Sequence, residues 1–271
     1  MHDALRQPLA LLGLRKPAAG RLCLACITNT GGHRDHNEDN FVFFGTVLPQ
    51  EHQSMEAPLK ESVLLDALTV VAVFDGMGGE LMGDAATFAA ASRLNELVPS
   101  LDASESDLLR AFRGMQDAVC DLRADRRLSS TGTTVVVLCC RNGVAFVGNL
   151  GDSKAFLVRD GELVTLSVSH TDEWLLGQLG LDRKPALTQY LGVDETDAPM
   201  EPHVVGFELE LGDRILLASD GLTDMVDESS IARTTCDAAS MEELVCDLCD
   251  QALAHGGEDN VTIIACEVLA G

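Results

Sequence analysis

Two dipeptides, Asn142-Gly143 and Asp160-Gly161, constrain this chain's fold more than any other feature. Each lies between apolar, β-branched runs and suits a type I′ turn, which joins antiparallel strands. The sequence therefore predicts strands over 133–140, 144–149, 154–158 and 163–166, read together as a meander of a half-buried or sandwiched sheet. Similar short runs predict strands over 22–28, 40–44, 68–74, 203–208, 214–219 and 261–267. An Ala-rich run with Leu predicts a helix over 83–97, and apolar residues at three- and four-residue spacing predict helices over 107–124 and 241–255. Strands and helices do not alternate regularly, which favours an α+β fold over a doubly wound one. The expected architecture is a four-layer α/β/β/α sandwich, two antiparallel sheets flanked by helices. Segments 45–62 and 169–202 read as irregular, the second with an acidic cluster of Asp194, Glu195, Asp197 and Glu201.

Charge and composition exclude several functions. The 43 acidic residues against 19 basic ones give a net charge of −24, which rules out a nucleic-acid grip through a general basic surface. A 46% hydrophobic share with only eight prolines sets the chain apart from acidic disordered tails. No apolar run approaches the ~20 residues that span a bilayer. The weak apolar stretch over 8–14 follows Asp3, is closed by Arg15 and Lys16, and has no convincing cleavage site after it, so a cytoplasmic location is expected. Several of the nine cysteines (Cys139, Cys140, Cys266) sit inside apolar runs, as reduced thiols acting as small hydrophobes do. Cys23/Cys26 and Cys246/Cys249 have a zinc-like spacing, but neither pair has turn-forming Gly or Pro around it.

The acids carry more information. Asp39, Asp75, Asp152, Asp220 and Asp259 each stand at the edge of a predicted strand. One such acid is usually a turn former. Five together point to a hard divalent cation, which prefers carboxylate, carbonyl and water oxygens. The run Asp75-Gly76-Met77-Gly78-Gly79 adds glycines that let backbone approach a ligand closely, so that the Gly76 carbonyl can itself coordinate.

In order along the chain stand Gly31-Gly32-His33-Arg34-Asp35-His36-Asn37-Glu38-Asp39, Val73-Phe74-Asp75-Gly76-Met77-Gly78-Gly79 and Thr131-Gly132-Thr133-Thr134. Gly148-Asn149-Leu150-Gly151-Asp152-Ser153, Leu217-Ala218-Ser219-Asp220-Gly221-Leu222-Thr223-Asp224 and Glu258-Asp259-Asn260-Val261-Thr262 follow. This set resembles the motifs of the metal-dependent type 2C (PPM) protein serine/threonine phosphatases, in the bacterial style. The resemblance runs from about Leu22 to the C-terminus, so 21–271 is expected to be a single catalytic domain behind an N-terminal extension over 1–20.

The resemblance implies a centre of two Mn²⁺ or Mg²⁺ ions. Asp75 would bridge both, with the Gly76 carbonyl as a further ligand. Asp39, Asp220 and Asp259 would complete the set directly or through water, and Glu38 would act through water. Asp152, with Asp220, matches the position of a weaker third ion. Arg34 matches the arginine that binds the substrate phosphate, a task suited to its planar five-donor fork. Phosphate monoesters resist hydrolysis so strongly that acceleration of up to ~10²¹-fold is needed. Two cations lower the pKa of a shared water and make hydroxide available at neutral pH, while the cations and Arg34 offset charge on the phosphoryl oxygens. No phospho-enzyme is required.

Some positions depart from the family pattern. Met77 stands where many eukaryotic members have a histidine proposed as general acid, which leaves a metal-bound water as the expected proton donor. Lys154 replaces the usual arginine after Gly-Asp-Ser and is expected to be a local ion-pair partner. The flap segment within 170–191 is shortened. Trp174 and Tyr190 fall in it, with core packing expected for both and substrate contact the alternative. The His33/His36 pair is not needed as a metal site. The implied partners are phosphorylated proteins and a cognate Ser/Thr kinase, and a monomer is expected. A silent phosphopartner-binding protein and a small-molecule phosphomonoesterase are the competing readings. Two divalent ions would offset only four of the 24 net negative charges, so most of the charge belongs to the surface and should favour phosphosites flanked by basic residues.

Overall fold

A computed structural model describes residues 20–77, 82–127, 131–193 and 199–271. Its first half contains β1 (Gly20–Asn29), β2 (Asn40–Phe43), β3 (Leu59–Leu64), β4 (Thr69–Phe74), β5 (Gly76–Met77), α1 (Gly83–Leu97), α2 (Glu105–Arg126) and β6 (Gly132–Thr133). Then come β7 (Val135–Arg141), β8 (Val144–Leu150), β9 (Lys154–Arg159), β10 (Glu162–Thr165), α3 (Glu173–Leu179), β11 (His203–Glu208) and β12 (Arg214–Ala218). The chain closes with α4 (Asp220–Thr223), α5 (Glu228–Asp237), α6 (Met241–Ala254) and β13 (Val261–Ala270).

The main strands form two antiparallel sheets, one of six in the order β10-β9-β12-β13-β1-β3 and one of five in the order β11-β8-β7-β4-β2. Between them lies a dry core that includes Leu22, Leu24 and Cys26 of β1, Val71 and Val73 of β4 and Leu217 of β12. The opposite face of β4, with Val70, Ala72 and Phe74, packs on Ala86, Ala90 and Leu94 of α1 and on Leu108, Phe112 and Met115 of α2. The outer face of the six-stranded sheet, with Ala25, Ile27 and Ile263, is covered by Leu244, Val245 and Leu248 of α6. The order of layers is helix, sheet, sheet, helix, as expected. A strand covered on both faces cannot alternate polar with apolar residues, which is why β4 reads as an unbroken apolar run. The helices start where their capping residues dictate. Ser104, Asp227 and Ser240 accept bonds from the backbone N–H of Asp107, Ser230 and Glu243.

Both hairpin turns form as the sequence predicts, with positive φ at Asn142 (54°) and Gly143 (77°), and at Asp160 (53°) and Gly161 (80°). The meander does not. The β7–β8 hairpin belongs to the five-stranded sheet and the β9–β10 hairpin to the six-stranded one. The chain crosses between them at 151–153, where Gly151 has φ 109° and a Cβ would lie 2.6 Å from the Thr134 Cβ. Apolar runs on both sides of that crossing hide it from a reading of periodicity, because a strand buried in either sheet looks the same.

The segments read as irregular are partly ordered. Strand β3 begins within 45–62 and runs on to Leu64, and helix α3 lies within 169–202. Both are short and mostly exposed, so neither carries an apolar signature. Trp174 is 65% exposed, which corrects its assignment to the core. Tyr190 is partly buried and its ring packs over Gly132. Lys154 makes the expected ion pair, 3.4 Å from Glu228. Cys23 and Cys26 are three apart on β1, where side chains alternate between faces, and Cys26 lies in the core between the sheets. Burial pushes the thiols of Cys139, Cys140 and Cys249 up to about 12, which leaves them chemically quiet. Among the described residues no helix is long and apolar enough to cross a membrane. Residues 1–19, Gly78 and Gly79, and the acids Asp194, Glu195 and Asp197 lie outside the described residues.

Phe112 is fully buried where α2 crosses the five-stranded sheet. Its replacement by alanine is expected to cost about 3–5 kcal/mol of stability, read from the midpoint of urea unfolding.

Candidate metal centre

Antiparallel pairing places the start of one strand beside the end of its neighbour, and the site uses this at three places. Asn40 pairs with Phe74, so Asp39, just before β2, and Asp75, just after β4, meet at one sheet end. Ala218 pairs with Ile263 and Asn29 with Val261, so Asp220 after β12 and Asp259 before β13 come together with the loop after β1. The crossing between the sheets supplies Asp152. Thr134 joins it to Asp75, donating its N–H to the Asp75 carbonyl at 2.9 Å while its hydroxyl bonds that of Ser153 at 2.6 Å.

The result is one cavity of about 530 Å³ with Arg34, Glu38, Asp75, Gly76, Asp152, Asp220 and Asp259 on its wall. Asp39 is the exception. It is 1% exposed and absent from the wall, and its Oδ2 accepts bonds from the hydroxyls of Ser219 (2.8 Å) and Thr262 (2.7 Å).

Other supports escaped attention in the sequence although they stand inside the motifs. Asn260 is buried, donates to the carbonyls of Thr30 (2.8 Å) and His36 (3.1 Å), and accepts from the N–H of Glu38 (2.8 Å). One side chain thereby fixes the loop that presents Arg34 and Glu38. Gly76 is required by space, since a Cβ there would lie 2.6 Å from the Glu38 carbonyl oxygen. Lys184, Pro185 and Leu187 of the shortened segment also line the cavity, which nothing in the sequence indicated. Lys184 Nζ lies 3.0 Å from Asp220 Oδ2 and 3.0 Å from Asp224 Oδ2.

The electrostatics are those of crowded acids. Asp75 is partly open to the cavity, yet burial raises its pKa well above the usual carboxylate range, and Asp220, Asp39, Asp152 and Asp259 raise it further. Burial likewise pushes Asp39 up to about 7, against the lowering effect of its two hydroxyl donors. Asp152 rises to about 6 through burial and the charge of Asp220. Burial also raises Glu38 and Asp220, although Lys184 works against the shift at Asp220. Arg34 Nη2 donates to Asp259 Oδ2 at 2.6 Å, and its side chain stays 48% exposed.

These residues fit hard divalent cations by donor type, since the wall supplies the carboxylate oxygens of Glu38, Asp75, Asp152, Asp220 and Asp259. Among the described residues no three His, Cys, Asp or Glu side chains already close on one point. Asp259 faces Arg34, Asp220 faces Lys184, and Asp39 is held by hydroxyls. Repulsion among the acids is what a dication would relieve.

The comparisons with known proteins agree with this chemistry. A family model described as protein phosphatase 2C matches residues 59–255. The chain belongs to the protein phosphatase 2C family. The phosphatase is 30% identical over 256 residues to the serine/threonine phosphatase Stp of Listeria welshimeri, covering 89% of this chain and 93% of that one. It is 29% identical over 211 residues to the serine/threonine protein phosphatase PstP of Mycobacterium tuberculosis, covering 74% of this chain and 40% of PstP. A crystal structure of PstP superposes with a TM-score of 0.74 at 25% identity, over 93% of this chain and 100% of that one. The phosphatase is a hydrolase of the bacterial type within this family.

A carboxylate whose pKa is raised by folding binds its proton more tightly in the native chain than in the unfolded one. Its contribution to stability is present at low pH and is lost as pH rises through the native value. For Asp39 and Asp152 that window runs from the ordinary 3.8 to about 7 and about 6. In EDTA, the phosphatase should lose thermal stability between about pH 4 and about pH 7, and Asp75→Asn should lose less. Saturating Mn²⁺ should restore the wild type. Identical melting shifts for the wild type and Asp75→Asn in EDTA would count against this.

Proposed function

We propose that this phosphatase hydrolyses phosphoserine and phosphothreonine in proteins at a centre of two Mn²⁺ or Mg²⁺ ions, with room for a weaker third. The observation that carries the proposal is the convergence of Asp75, Asp152, Asp220 and Asp259 with Arg34 on one cavity, with Asp39 directly beneath the strand ends. A crystal structure of the PstP catalytic domain, 24% identical and covering 92% of this chain, is described as a complex with two manganese ions. In this chain Asp75, the Gly76 carbonyl, Asp220 and Asp259 would hold the pair, Asp39 and Glu38 would act through water, and Asp152 with Asp220 would hold the third. When bound, the ions supply an activated water and Lewis acidity toward the phosphoryl oxygens.

The chain's own side chains do the rest. Arg34 projects into the cavity while tied to Asp259 by one nitrogen, so the remaining N–H groups are free to orient a phosphate. The tie to Asp259 limits the rotamer freedom lost when substrate arrives. Met77 has no proton to give, so the leaving alkoxide takes its proton from elsewhere in the site. The presence of all five aspartates speaks against a silent phosphopartner-binding role. We take 21–271 as one catalytic domain, acting as a monomer in the cytoplasm opposite a Ser/Thr kinase.

Phosphate release from phosphothreonine and phosphoserine peptides in Mn²⁺ tests this reading. Arg34→Ala should lower kcat/KM roughly 10- to 100-fold, mostly through KM, as loss of a hydrogen bond to a charged group does. Asp75→Asn should lower kcat on the order of 10³-fold. Equal turnover by Asp75→Asn and the wild type would refute the assignment. The acidic surface adds a second expectation: peptides with basic flanks should be preferred at low ionic strength, and the preference should shrink toward about 1 M salt. Equal kcat/KM for basic- and acidic-flanked peptides at low salt would remove it.

A further inference from the structure

Lys184 is placed by the hydrogen bonds of its loop. The base of the loop is closed by a bond from the Thr188 N–H to the His170 carbonyl at 2.8 Å and by a bridge between Thr171 and Leu187. Asp172 then clamps the residues on either side of Lys184. Its N–H donates to the Ala186 carbonyl at 3.0 Å, its Oδ1 accepts from the Ala186 N–H at 2.7 Å, and its Oδ2 pairs with Arg183. Held this way, Lys184 reaches two carboxylates of one helical turn, because the Asp224 N–H bonds the Asp220 carbonyl at 2.8 Å.

The ammonium also stands on a boundary. On one side is the catalytic cavity, and on the other a second cavity of about 290 Å³ lined by Asp152, Glu173, Asp220, Thr223, Asp224 and Lys184 itself. Asp152 and Asp220 belong to both walls. Asp220 and Asp224 each lie 3.0 Å from the Lys184 ammonium and Asp152 lines both cavities beside them, so the cation at the outer edge of the centre is a side chain. Burial works against its charge, but Asp220 and Asp224 hold its pKa above the ordinary lysine value. The Lys184 side chain is 65% exposed, and ion pairs so exposed are weak enough for a dication to replace them.

We propose that the Lys184 ammonium is the built-in occupant of the outer cation position at Asp152, Asp220 and Asp224, and that a divalent ion binds there only by displacing it and releasing the 172–187 loop. This rests on reading Asp75 and its neighbours as a metal centre. The chain then controls its third ion through the loop that borders the substrate cleft, and filling the outer position and moving the loop become one event. The coupling works in both directions, since a substrate that shifts the loop also changes the affinity for that ion.

Mn²⁺ binding by equilibrium dialysis tests this on the full chain, for wild type, Lys184→Gln and Lys184→Arg. Trp174 is the only tryptophan in the chain and is the second residue of the helix that Asp172 precedes, so its fluorescence reports the loop. The wild type should bind two ions tightly and a third weakly, with Trp174 emission changing only over the third. In Lys184→Gln the third should bind about tenfold more tightly, as expected when an occluding state populated roughly nine-tenths of the time is removed. Its Trp174 emission should be altered before any ion is added and respond little to the third. Lys184→Arg should follow the wild type. Third-ion affinities within about twofold across the three proteins, or Trp174 emission in the wild type unmoved by the third ion, overturn the inference while leaving the two-ion centre standing. A wild type that takes up no tightly bound pair refutes the metal-centre reading itself and this inference with it.

Discussion

Carboxylates at Asp39, Asp75, Asp152 and Asp220 repel one another across a cleft that is only partly wet, and burial raises the pKa of all four. Loops of ordinary length would relieve that repulsion by moving apart. They are prevented by strand register. Strand β1 pairs with β13 over its full ten residues, which locks the loop after Asn29 against Asp259 and Asn260. The β2–β4 pairing holds Asp39 against Asp75, and Asn260 ties the intervening loop with three hydrogen bonds. The hydrophobic cores on the three sides of the two sheets supply the stability that is given up at the strand ends. A candidate site crowded with like charge is the kind of local conflict a fold tolerates where function requires it.

Much of this was legible from residue patterns because the elements concerned are buried. Strands such as β4 and β12 and helix α1 declare themselves through unbroken or Ala-rich apolar runs, and the observed α1 has the bounds that its Ala-rich run predicts. Strand β3 and helix α3 are mostly exposed, so polar side chains mask their periodicity. The split of the β7–β10 meander between two sheets was invisible for a different reason. Hydrophobic patterning tells which residues are buried but not in which sheet, and the only local sign was a glycine beside Asp152.

The site shows the same division. Asp75, Asp152, Asp220 and Asp259 were recognisable because acids at several strand ends are improbable as turn formers alone, and the structure brings them to one cavity. Asp39 was singled out by the same pattern but is buried off the cavity wall, with one carboxylate oxygen bonded to Ser219 and Thr262. Lys184 could not have been found, because a lysine in a polar, non-periodic segment carries no signal until the loop's hydrogen bonds show where it is aimed. The acidic cleft also holds two cations, Arg34 from a recognised motif against Asp259 and Lys184 from outside any motif against Asp220 and Asp224.

Only a few of the acids behind the net charge of −24 stand at strand ends around the cavity, and the proposed function rests on these. That distinction is open to direct observation by diffraction from manganese-soaked crystals at the manganese absorption edge. Two strong anomalous peaks sharing the Asp75 carboxylate are predicted, one of them within reach of Asp220 and Asp259. A single peak there, or none within reach of Asp75, would contradict a binuclear centre.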